Sequence, residues 1–545
     1  MIETQETVTP IYPSRIVEVS KEAKNAERLL EIHPLVLNLL SDPLKMFVFP
    51  PRSHIVLDFG EEYAGGIRIL VKALEGVSAG ANPLRIRFGE SVGETMVNIG
   101  EKNATGDHSP RDFVYALPPL CDNTVGCSGF RFARLDNVGE KTMYLQAVVL
   151  MAKHPNVSRV AHFRSDDPRL NRIFKISCRT AFLCLQNGYL YDGIKRDRLV
   201  WTGDMGVEVK TILDGYGALD GVRRSLDFSR DASPLPGWMN GIPSYSLWWI
   251  MELEDYYRRT GELDWLKTNA RYLQGLVHQL SLCVDEEGRL NFDRCADAAH
   301  NELEYFIDWP TWGNENSETA VVALLKIALR SAAYLYSVLG LNTDAVSALA
   351  QRVREVPLTK KAMKSQIGTV YEGYGRGDLD ALVKDGGHGF STFSMYLCLK
   401  ALADGNRIED ALRCLKEYYG GMLDHGATTF FEDYDLDWKG IGVDQMPEEG
   451  KPYLASDYGN YCYVGYRLSL CHGWASGPAP FLLEEVAGIH PLDAYHYEIA
   501  PKLGPIQTLD ATIATVLGPL TIHCREGKLV SYEKPDGITV SIRVA

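Results

Sequence analysis

The stretch Asp192-Gly-Ile-Lys-Arg-Asp-Arg-Leu-Val-Trp-Thr-Gly-Asp204 decides how the rest of this chain is interpreted. Its aspartates at 192, 197 and 204 are spaced so that they do not share one face of a helix, where neighbours stand three or four positions apart. The glycines at 193 and 203 also favour irregular backbone. We therefore predict a loop that leads into a helix beginning near Asp204. Loops on a rigid scaffold are where catalytic groups concentrate.

A simpler interpretation of the same stretch is a solvated charged loop that caps the next helix, because runs of charge usually face water. Apolar and aromatic residues, Leu199, Val200 and Trp201, follow the charges directly. A loop that only faces solvent has little reason to carry them, so the sequence favours a functional loop.

This stretch resembles the acid-bearing loop of the α-L-rhamnosidases, glycoside hydrolase family 78, in the six-hairpin glycosidase superfamily. The family pattern is roughly Asp-x-x-x-Arg-Glu-Arg-Leu-x-Trp-x-Gly-Asp. Six residues here match it after the first aspartate: Arg196, Arg198, Leu199, Trp201, Gly203 and Asp204. Asp197 stands where the family usually has the glutamate that acts as general acid, so its carboxyl group lies one methylene further back.

Two later motifs resemble the same family. Gly426-Ala-Thr-Thr-Phe-Phe-Glu432 is β-branched and aromatic, which favours an extended segment ending at Glu432, the position of the family's general base. Taken without the resemblance, this acidic stretch could equally be a solvated turn. His472-Gly-Trp-Ala-Ser-Gly477 resembles the family's late histidine motif, which implies that His472 lines the sugar pocket, although a lone histidine is more often structural.

Aromatic residues are frequent in the predicted connections, and sugars stack their C–H faces on such rings. Asp308, Trp309 and Trp312 resemble a wall of this kind, with the carboxylate available for hydroxyl groups. Trp248 and Trp249 are adjacent, so on a helix they point about 100° apart. We therefore expect at most one of them, Trp248, to reach a sugar.

Bulk composition narrows the class of protein. The chain has 545 residues, 46% hydrophobic content and a net charge of −15, which suits a multidomain globular protein and argues against nucleic acid as a partner. No run of 18 apolar residues is found, so no membrane partner is expected. The 11 cysteines include no Cys-x-x-Cys pair and no secretory signal is recognised, which favours reduced thiols and a cytoplasmic location.

The periodicity of apolar residues changes twice along the chain. Residues 1–160 alternate with period two and predict an N-terminal β-sandwich, while residues 161–492 follow helical periodicity. The family resemblance makes this helical part an (α/α)6 catalytic barrel. Residues 493–545 return to period two and predict a small C-terminal antiparallel β domain.

The predicted helices are 205–228, 246–260, 264–283, 318–339, 344–356, 391–403, 409–419 and 481–487, with a further helix opening at Asp167-Pro168. Nine helices fall short of the twelve that the barrel requires, so about three are expected to have escaped the pattern.

Glycoside hydrolysis needs two carboxyl groups across the scissile bond. The resemblance implies Asp197 as general acid and Glu432 as general base of an inverting α-L-rhamnosidase. Such an enzyme would release terminal rhamnose from small glycosides or oligosaccharides, with its carboxyl groups roughly 6.5–9.5 Å apart. The implied substrate-binding residues are Asp192, Arg196, Trp201, Asp204, Trp248, Asp308, Trp309, Trp312 and His472.

Two other functions remain open from the sequence. The same barrel could hydrolyse a different sugar, or the chain could be a carbohydrate-binding relative without catalysis. No cofactor is expected, and no metal site is predicted, because the acidic residues at 432–437 lack the pattern of an EF-hand loop. A homo-oligomer is possible.

Overall fold

The computed structural model describes residues 2–77, 79–295, 303–459 and 462–543. Its strands are numbered here in chain order: β1 Glu6–Ile11, β2 Arg15–Val19, β3 Phe47–Phe49, β4 His54–Leu74, β5 Asn82–Gly89, β6 Asp112–Leu117, β7 Cys121–Asn137, β8 Met143–Pro155, β9 His162–Ser165, β10 Leu185–Gln186, β11 Tyr189–Leu190, β12 Ile489–Asp493, β13 His496–Ile499, β14 Leu509–Thr515, β15 Gly518–Arg525, β16 Lys528–Glu533 and β17 Thr539–Ile542.

The helices are numbered in the same way: α1 Val92–Met96, α2 Pro168–Cys184, α3 Met205–Tyr216, α4 Asp220–Asp231, α5 Pro243–Thr260, α6 Leu263–Cys283, α7 Ser317–Val338, α8 Asp344–Arg352, α9 Lys364–Tyr374, α10 Leu379–Val383, α11 Met395–Asp404, α12 Ile408–Asp424, α13 Leu454–Asp457 and α14 Pro478–Pro480. A π-helical turn, Phe481–Val486, continues α14.

The N-terminal strands form one antiparallel sheet of eight strands in the order β1-β8-β4-β7-β5-β6, with β2 paired to β4 and β3 paired to β8. The side chains that alternate along β4 pack into a single apolar core, as period-two patterning requires. Two of them, Ile55 and Leu57, have no solvent exposure. This sheet lies against the acid-bearing loop, because Ile194 of that loop packs on Gly129 of β7.

The helical part closes on itself. Helix α2 contacts α3, and the contacts continue from α3 to α5, α7, α9, α11 and α12 before returning to α2. Aspartate 167 caps α2 by accepting hydrogen bonds from the backbone N–H groups of Arg169 and Leu170, and Pro168 occupies the first turn. The loops at one end of this ring carry the motif residues.

The helical part differs from the sequence prediction in several places, and the short helices α10 and α13 were not predicted. The predicted helix 205–228 is two helices, because Gly217 ends α3 with φ of 90°, a conformation that side chains disfavour. Helix α9 lies in a stretch whose glycines obscured its periodicity. The predicted helix 481–487 is instead a π-helical turn.

The C-terminal strands form two sheets. One has the order β12-β13-β17 and the other β16-β15-β14-β9, so β9, which precedes the first long helix, completes a sheet made by the end of the chain. The pair β13 and β17 is parallel, which departs from the antiparallel arrangement expected for this region. The first strand after the helical part, β12, begins at Ile489. Residues 544 and 545 lie outside the described part of the chain.

Helix α7 is long and apolar enough to cross a membrane by length and composition alone. Of its most apolar window, 61% is buried inside the protein, as in the core helix of a globular domain. The most economical explanation of its apolar character is therefore its packing against α5 and α9.

Candidate active site

Backbone hydrogen bonds bring three distant segments together. The N–H of Gly473 donates to the carbonyl of Asp192 at 2.7 Å, beside a bridge between Gly193 and His472. The N–H of Glu432 donates to the carbonyl of Ser469 at 3.0 Å. The three motifs that the sequence analysis singled out thus lie side by side, although they are far apart along the chain.

Gly473 is required where the third segment passes helix α3. A Cβ atom at this position would lie 1.3 Å from Oε1 of Glu208, so no side chain fits. The glycine of the His-Gly-Trp motif is therefore explained by close packing against a buried carboxyl group. Burial raises the pKa of Glu208 well above its usual range, and the charge of Asp204 acts in the same direction.

One guanidinium joins the two carboxyl groups that the resemblance implicates. Nη1 of Arg196 donates to Oδ1 of Asp197 at 2.9 Å, and Nη2 donates to Oε2 of Glu432. Because these nitrogens belong to one planar fork, the two carboxylate oxygens are separated by about 8 Å or less. Asp197 and Glu432 therefore face the same small volume.

Arg196 is itself held rigidly. Its Nε donates to the carbonyl of Arg467 at 2.8 Å, and the guanidinium lies over the ring of Tyr463, 3.8 Å from the ring centroid. Burial alone would lower the pKa of Arg196, but the charges of Glu432 and Asp197 raise it above its usual range. Arg196 is thus a fixed positive charge between the two carboxyl groups.

The Asp192 carboxyl group fixes the backbone of the acid-bearing loop by hydrogen bonds. Its Oδ2 accepts a hydrogen bond from the N–H of Asp197 and its Oδ1 accepts one from the N–H of Leu199, both at 2.9 Å. Burial nevertheless raises the pKa of Asp192 to about 7, with the Asp197 charge adding to the effect and the two N–H groups opposing it. Near neutral pH this carboxyl group can hold or release a proton.

Asp204 stands at the start of α3, as predicted, but its side chain does not cap the helix. It turns instead toward Tyr245 on α5, whose hydroxyl group donates to Oδ2 at 3.1 Å. Burial raises the pKa of Asp204 well above its usual range, and the neighbouring Asp192 charge adds to this. The carboxyl group is thus available to a ligand rather than to the helix terminus.

His472 lies at the centre of the acidic residues. Its Nε2 is 3.7 Å from Oδ2 of Asp192, 3.8 Å from Oδ1 of Asp204 and 3.8 Å from Oε1 of Glu432. These separations are too long for direct hydrogen bonds and suit a polar group placed between them. Burial lowers the pKa of His472 well below its usual range, and the Arg196 charge acts in the same direction.

A row of aromatic rings leads outward from Asp204. Each ring meets the next edge-on in the order Trp201, Tyr245, Phe306, Trp309 and Trp312, with ring centroids 5.1–6.3 Å apart. Trp312 is 50% exposed, and Trp201 and Trp309 are partly buried. Trp201 and the predicted wall of Trp309 and Trp312 are therefore joined through Phe306 and Tyr245, the hydrogen-bond partner of Asp204.

The adjacent tryptophans of α5 separate as their spacing requires. Trp249 has no exposure, and its Nε1 donates to the carbonyl of Leu226, so it belongs to the core. Trp248 packs edge-on against Phe393, and Phe393 in turn contacts Trp474. The ring centroids of Trp474 and His472 are 4.1 Å apart. Trp248 therefore supports the histidine through two intervening rings.

Asp308 is buried at the base of the aromatic row. Its Oδ2 accepts a hydrogen bond from the hydroxyl group of Ser391, and Oδ1 has no hydrogen-bond partner among the described residues. Burial raises the pKa of Asp308 to about 7, while the bonds from Ser391 and Ser394 lower it. A buried acceptor oxygen beside a row of aromatic rings is an arrangement that suits a hydroxyl-rich ligand.

Two groups at this site, Ser469 and His108, carried no sequence signal. Ser469 donates its N–H to Oε2 of Glu432 at 3.0 Å, beside the hydrogen bond from Nε1 of the motif residue Trp474 to the carbonyl of Glu432 at 3.0 Å. His108, from the N-terminal region, places Nδ1 3.2 Å from Oδ1 of Asp197. The aromatic and tyrosine-rich stretch around Tyr463 could have indicated the ring that lies under Arg196.

One group of the described residues could hold a metal ion by geometry. Ligand atoms of His388, Asp435 and Asp437 lie within 4.8 Å of one another. The side chains of His388 and Asp437 are 45% and 80% exposed, and such exposed acidic groups are common without a metal. We assign no role to this group.

The fold occurs in several solved structures of α-L-rhamnosidases. The family-78 rhamnosidase of Bacillus sp. GL1 superposes with a TM-score of 0.72 at 20% identity, over 95% of this chain and 55% of that one. The Klebsiella oxytoca rhamnosidase with rhamnose bound superposes with a TM-score of 0.67 at 18% identity, over 88% of this chain and 96% of that one. The Streptomyces avermitilis α-L-rhamnosidase complexed with L-rhamnose superposes with a TM-score of 0.72 at 17% identity, over 99% of this chain and 50% of that one.

The chain therefore has the fold of the family-78 α-L-rhamnosidases, and the resemblance inferred from its motifs is confirmed at the level of the fold. It spans about half the length of the Bacillus and Streptomyces enzymes. No protein-family model matches the sequence, and no curated protein matches it.

Proposed function

We propose that this protein is a glycoside hydrolase that releases terminal α-L-rhamnose from small glycosides or oligosaccharides. The observation that carries the proposal is that Arg196 forms ion pairs with both Asp197 and Glu432. The residues around these three follow the order of the rhamnosidase motifs along the chain. Fold alone does not give an activity, so the argument rests on these side chains.

In the proposed reaction Asp197 gives a proton to the leaving oxygen while Glu432 takes a proton from the attacking water. The limit of about 8 Å on the nearest oxygens reaches into the range of an inverting enzyme, in which a water molecule stands between base and sugar. Inversion is proposed from the family resemblance. Arg196 would stabilise the Glu432 carboxylate before it accepts its proton and the Asp197 carboxylate after it has given its proton away.

The remaining residues are proposed to bind the sugar. Asp192, Asp204 and His472 are polar side chains that are almost fully buried beside one another, a set that suits the hydroxyl groups of one terminal residue. The row from Trp201 to Trp312 would carry the apolar side of the sugar and its aglycone. Asp308 would accept a hydroxyl group at its unoccupied oxygen.

The closed ring of helices supports an (α/α)6 barrel as the catalytic domain, over residues 161–492. We further propose a cytoplasmic location, because all eleven cysteines are free thiols and disulfides form in oxidising compartments. A small, already trimmed substrate would match that location.

Hydrolysis of 4-nitrophenyl α-L-rhamnoside tests the proposal, with the anomeric form of the first product read by NMR. We expect turnover by the wild type, a loss of at least about 10²-fold in Asp197→Asn and in Glu432→Gln, and rhamnose binding retained in both variants. A β-configured first product would support inversion.

Three results would contradict this assignment. Hydrolysis of another glycoside in preference to rhamnosides would change the substrate class, and rhamnose binding without turnover would indicate a carbohydrate-binding relative. Unchanged turnover in Asp197→Asn would transfer the acid role to another carboxyl group, with Asp192 and Asp204 next in the pocket.

A further inference from the structure

Asp197 has a second basic neighbour. Oδ1 of Asp197 receives the guanidinium of Arg196 at 2.9 Å and lies 3.2 Å from Nδ1 of His108. Asp197 comes from the loop before α3, whereas His108 comes from the N-terminal region, between α1 and β6. The contact therefore joins two separate parts of the fold at the oxygen of the proposed acid.

The position of His108 is fixed by its two neighbours in the chain. Asp107 forms an ion pair with Arg467 at 2.9 Å, on the segment that also binds Arg196. Ser109 donates its hydroxyl group to the carbonyl of Cys127 at 2.7 Å. His108 is thus anchored on both sides, while its own side chain remains 38% exposed to solvent.

The arrangement answers a chemical requirement of the acid. A general acid must carry a proton, but the guanidinium of Arg196 stabilises the ionised carboxylate of Asp197. Histidine is the side chain whose ordinary charge change lies near neutral pH, and Nδ1 of His108 lies 3.2 Å from Oδ1 of Asp197, within reach of a proton. A protonated His108 would keep a proton within one hydrogen bond of Asp197.

We propose that His108 and Asp197 act together as the proton-donating pair, with His108 holding the proton that Asp197 delivers. This inference rests on the proposed function. The proton moves from the imidazolium to the carboxylate and then to the leaving oxygen as the bond from that oxygen to the anomeric carbon breaks. Water supplies the new oxygen and gives its proton to Glu432. The pair regains a proton from solvent through the exposed ring.

Other charges also act on the pair. Those that face Asp197 or flank His108 are Arg196, Asp192, Asp204, Tyr463, His472 and the ion pair of Asp107 with Arg467. A change confined to His108 leaves all of them in place, so a shift in the pH dependence of activity can be attributed to the histidine.

The test compares His108→Gln with the wild type on two substrates across pH 5–8. Methyl α-L-rhamnoside has a poor leaving group that needs the acid, and 2,4-dinitrophenyl α-L-rhamnoside has a good one that does not. For the variant at pH 7 we expect kcat/KM to fall about 10²-fold on the methyl glycoside and much less on the dinitrophenyl glycoside.

His496→Gln is the matched control. His496 forms a comparable pair with Asp493, 2.8 Å from Nδ1 to Oδ2, in the C-terminal sheet. The His496→Gln variant should hydrolyse both substrates at the wild-type rate. A second measurement does not depend on turnover: the ¹⁵N signals of His108 should report protons on both ring nitrogens in the wild type and change in Asp197→Asn.

The outcomes distinguish a failure of the proposed His108–Asp197 pair from a failure of the proposed rhamnosidase activity. If Asp197→Asn is inactive but His108→Gln keeps the pH profile and substrate ratio of the wild type, the pair is overturned and the hydrolase assignment stands. An equal loss on both substrates at every pH would indicate a structural role and would also overturn it. A wild type that hydrolyses no α-L-rhamnoside overturns both.

Discussion

At the scale of single residues, Asp192 shows how burial competes with hydrogen bonding. Two backbone N–H groups favour its ionised form, yet burial raises its pKa to about 7. The folded state therefore binds a proton at Asp192 in a range of pH where the unfolded chain does not. This makes the carboxyl group a measurable reporter of the closed pocket.

The change Asp192→Asn should alter how stability depends on pH. In the wild type, the free energy of unfolding contributed by this group falls as pH rises from the unfolded pKa of 3.8 to about 7, because ionising a buried carboxyl group is costly. Asparagine cannot ionise, so the wild type should lose about 2–3 kcal/mol relative to the variant between pH 5 and pH 8. Denaturant midpoints of both proteins at the two pH values measure this difference. A constant difference would contradict the assigned protonation.

Sequence motifs located some of these residues and could not locate others. Asp197, Asp204 and Glu432 stand inside local patterns that a resemblance can match. His108 and Tyr245 reach the site only because distant segments fold together, and nothing in their immediate neighbours marks them. Their roles depend on tertiary contacts, which a single sequence does not display.

At the scale of helices, apolar periodicity gave good boundaries for two long helices, α6 and α7. The prediction of 264–283 lies one residue from α6, and that of 318–339 lies one residue from each end of α7. It failed at Gly217, where a single backbone conformation separates two helices of continuous apolar pattern. It also failed at the π-helical turn after α14, because all six residues of that short turn are buried and their apolar pattern does not distinguish it from an α-helix.

A buried ion cluster joins three of these elements away from the site. Arg259 of α5 donates to Asp214 of α3 at 2.6 Å, to Asp255 at 3.0 Å and to Glu484 of the π-helical turn. Burial alone would raise the pKa of Glu484, but Lys210 and Arg259 lower it to about 2. The turn is thus held to the helices by charge.

Replacing Arg259 by methionine should destabilise the fold by about 3–5 kcal/mol, because it removes the cation that pairs with the buried Asp214 and leaves Glu484 with Lys210 alone. The loss should diminish as pH falls below about 5, where an unpaired glutamate takes up a proton and no longer needs the cation. Chemical denaturation at pH 7 and pH 4.5 measures both effects. Arg271→Met, at an exposed position of α6, is the matched control and should change stability by less than about 0.5 kcal/mol.

At the scale of the whole molecule, a second buried cluster attaches the N-terminal sheet to the acid-bearing loop. Nζ of Lys195 lies 2.8 Å from Oε2 of Glu90 and 3.1 Å from Oε1 of Glu94. It also donates to the carbonyl groups of Tyr466 and Leu468. Lys195 immediately precedes Arg196, so the sheet positions the residue that joins the proposed acid and base.

This connection predicts that the sheet and the helical part unfold together and that Lys195→Met weakens their coupling. The variant leaves Glu90 buried without its main cation, at an expected cost of about 3–5 kcal/mol. Burial and the Glu94 charge already raise the pKa of Glu90, while Lys195 lowers it, so without the lysine Glu90 should protonate more readily. The cost should therefore be smaller at pH 5 than at pH 8.

Differential scanning calorimetry of Lys195→Met at the two pH values measures the effect. At pH 8 we expect the single transition of the wild type to separate into two, and turnover to fall because Arg196 loses its support. Lys361→Met is the control, since that side chain is 78% exposed and should leave the transition intact. If Lys195→Met unfolds in one transition at an unchanged temperature, the sheet does not depend on this cluster for its attachment, and its contact with the loop is carried by apolar packing such as that of Ile194 on Gly129.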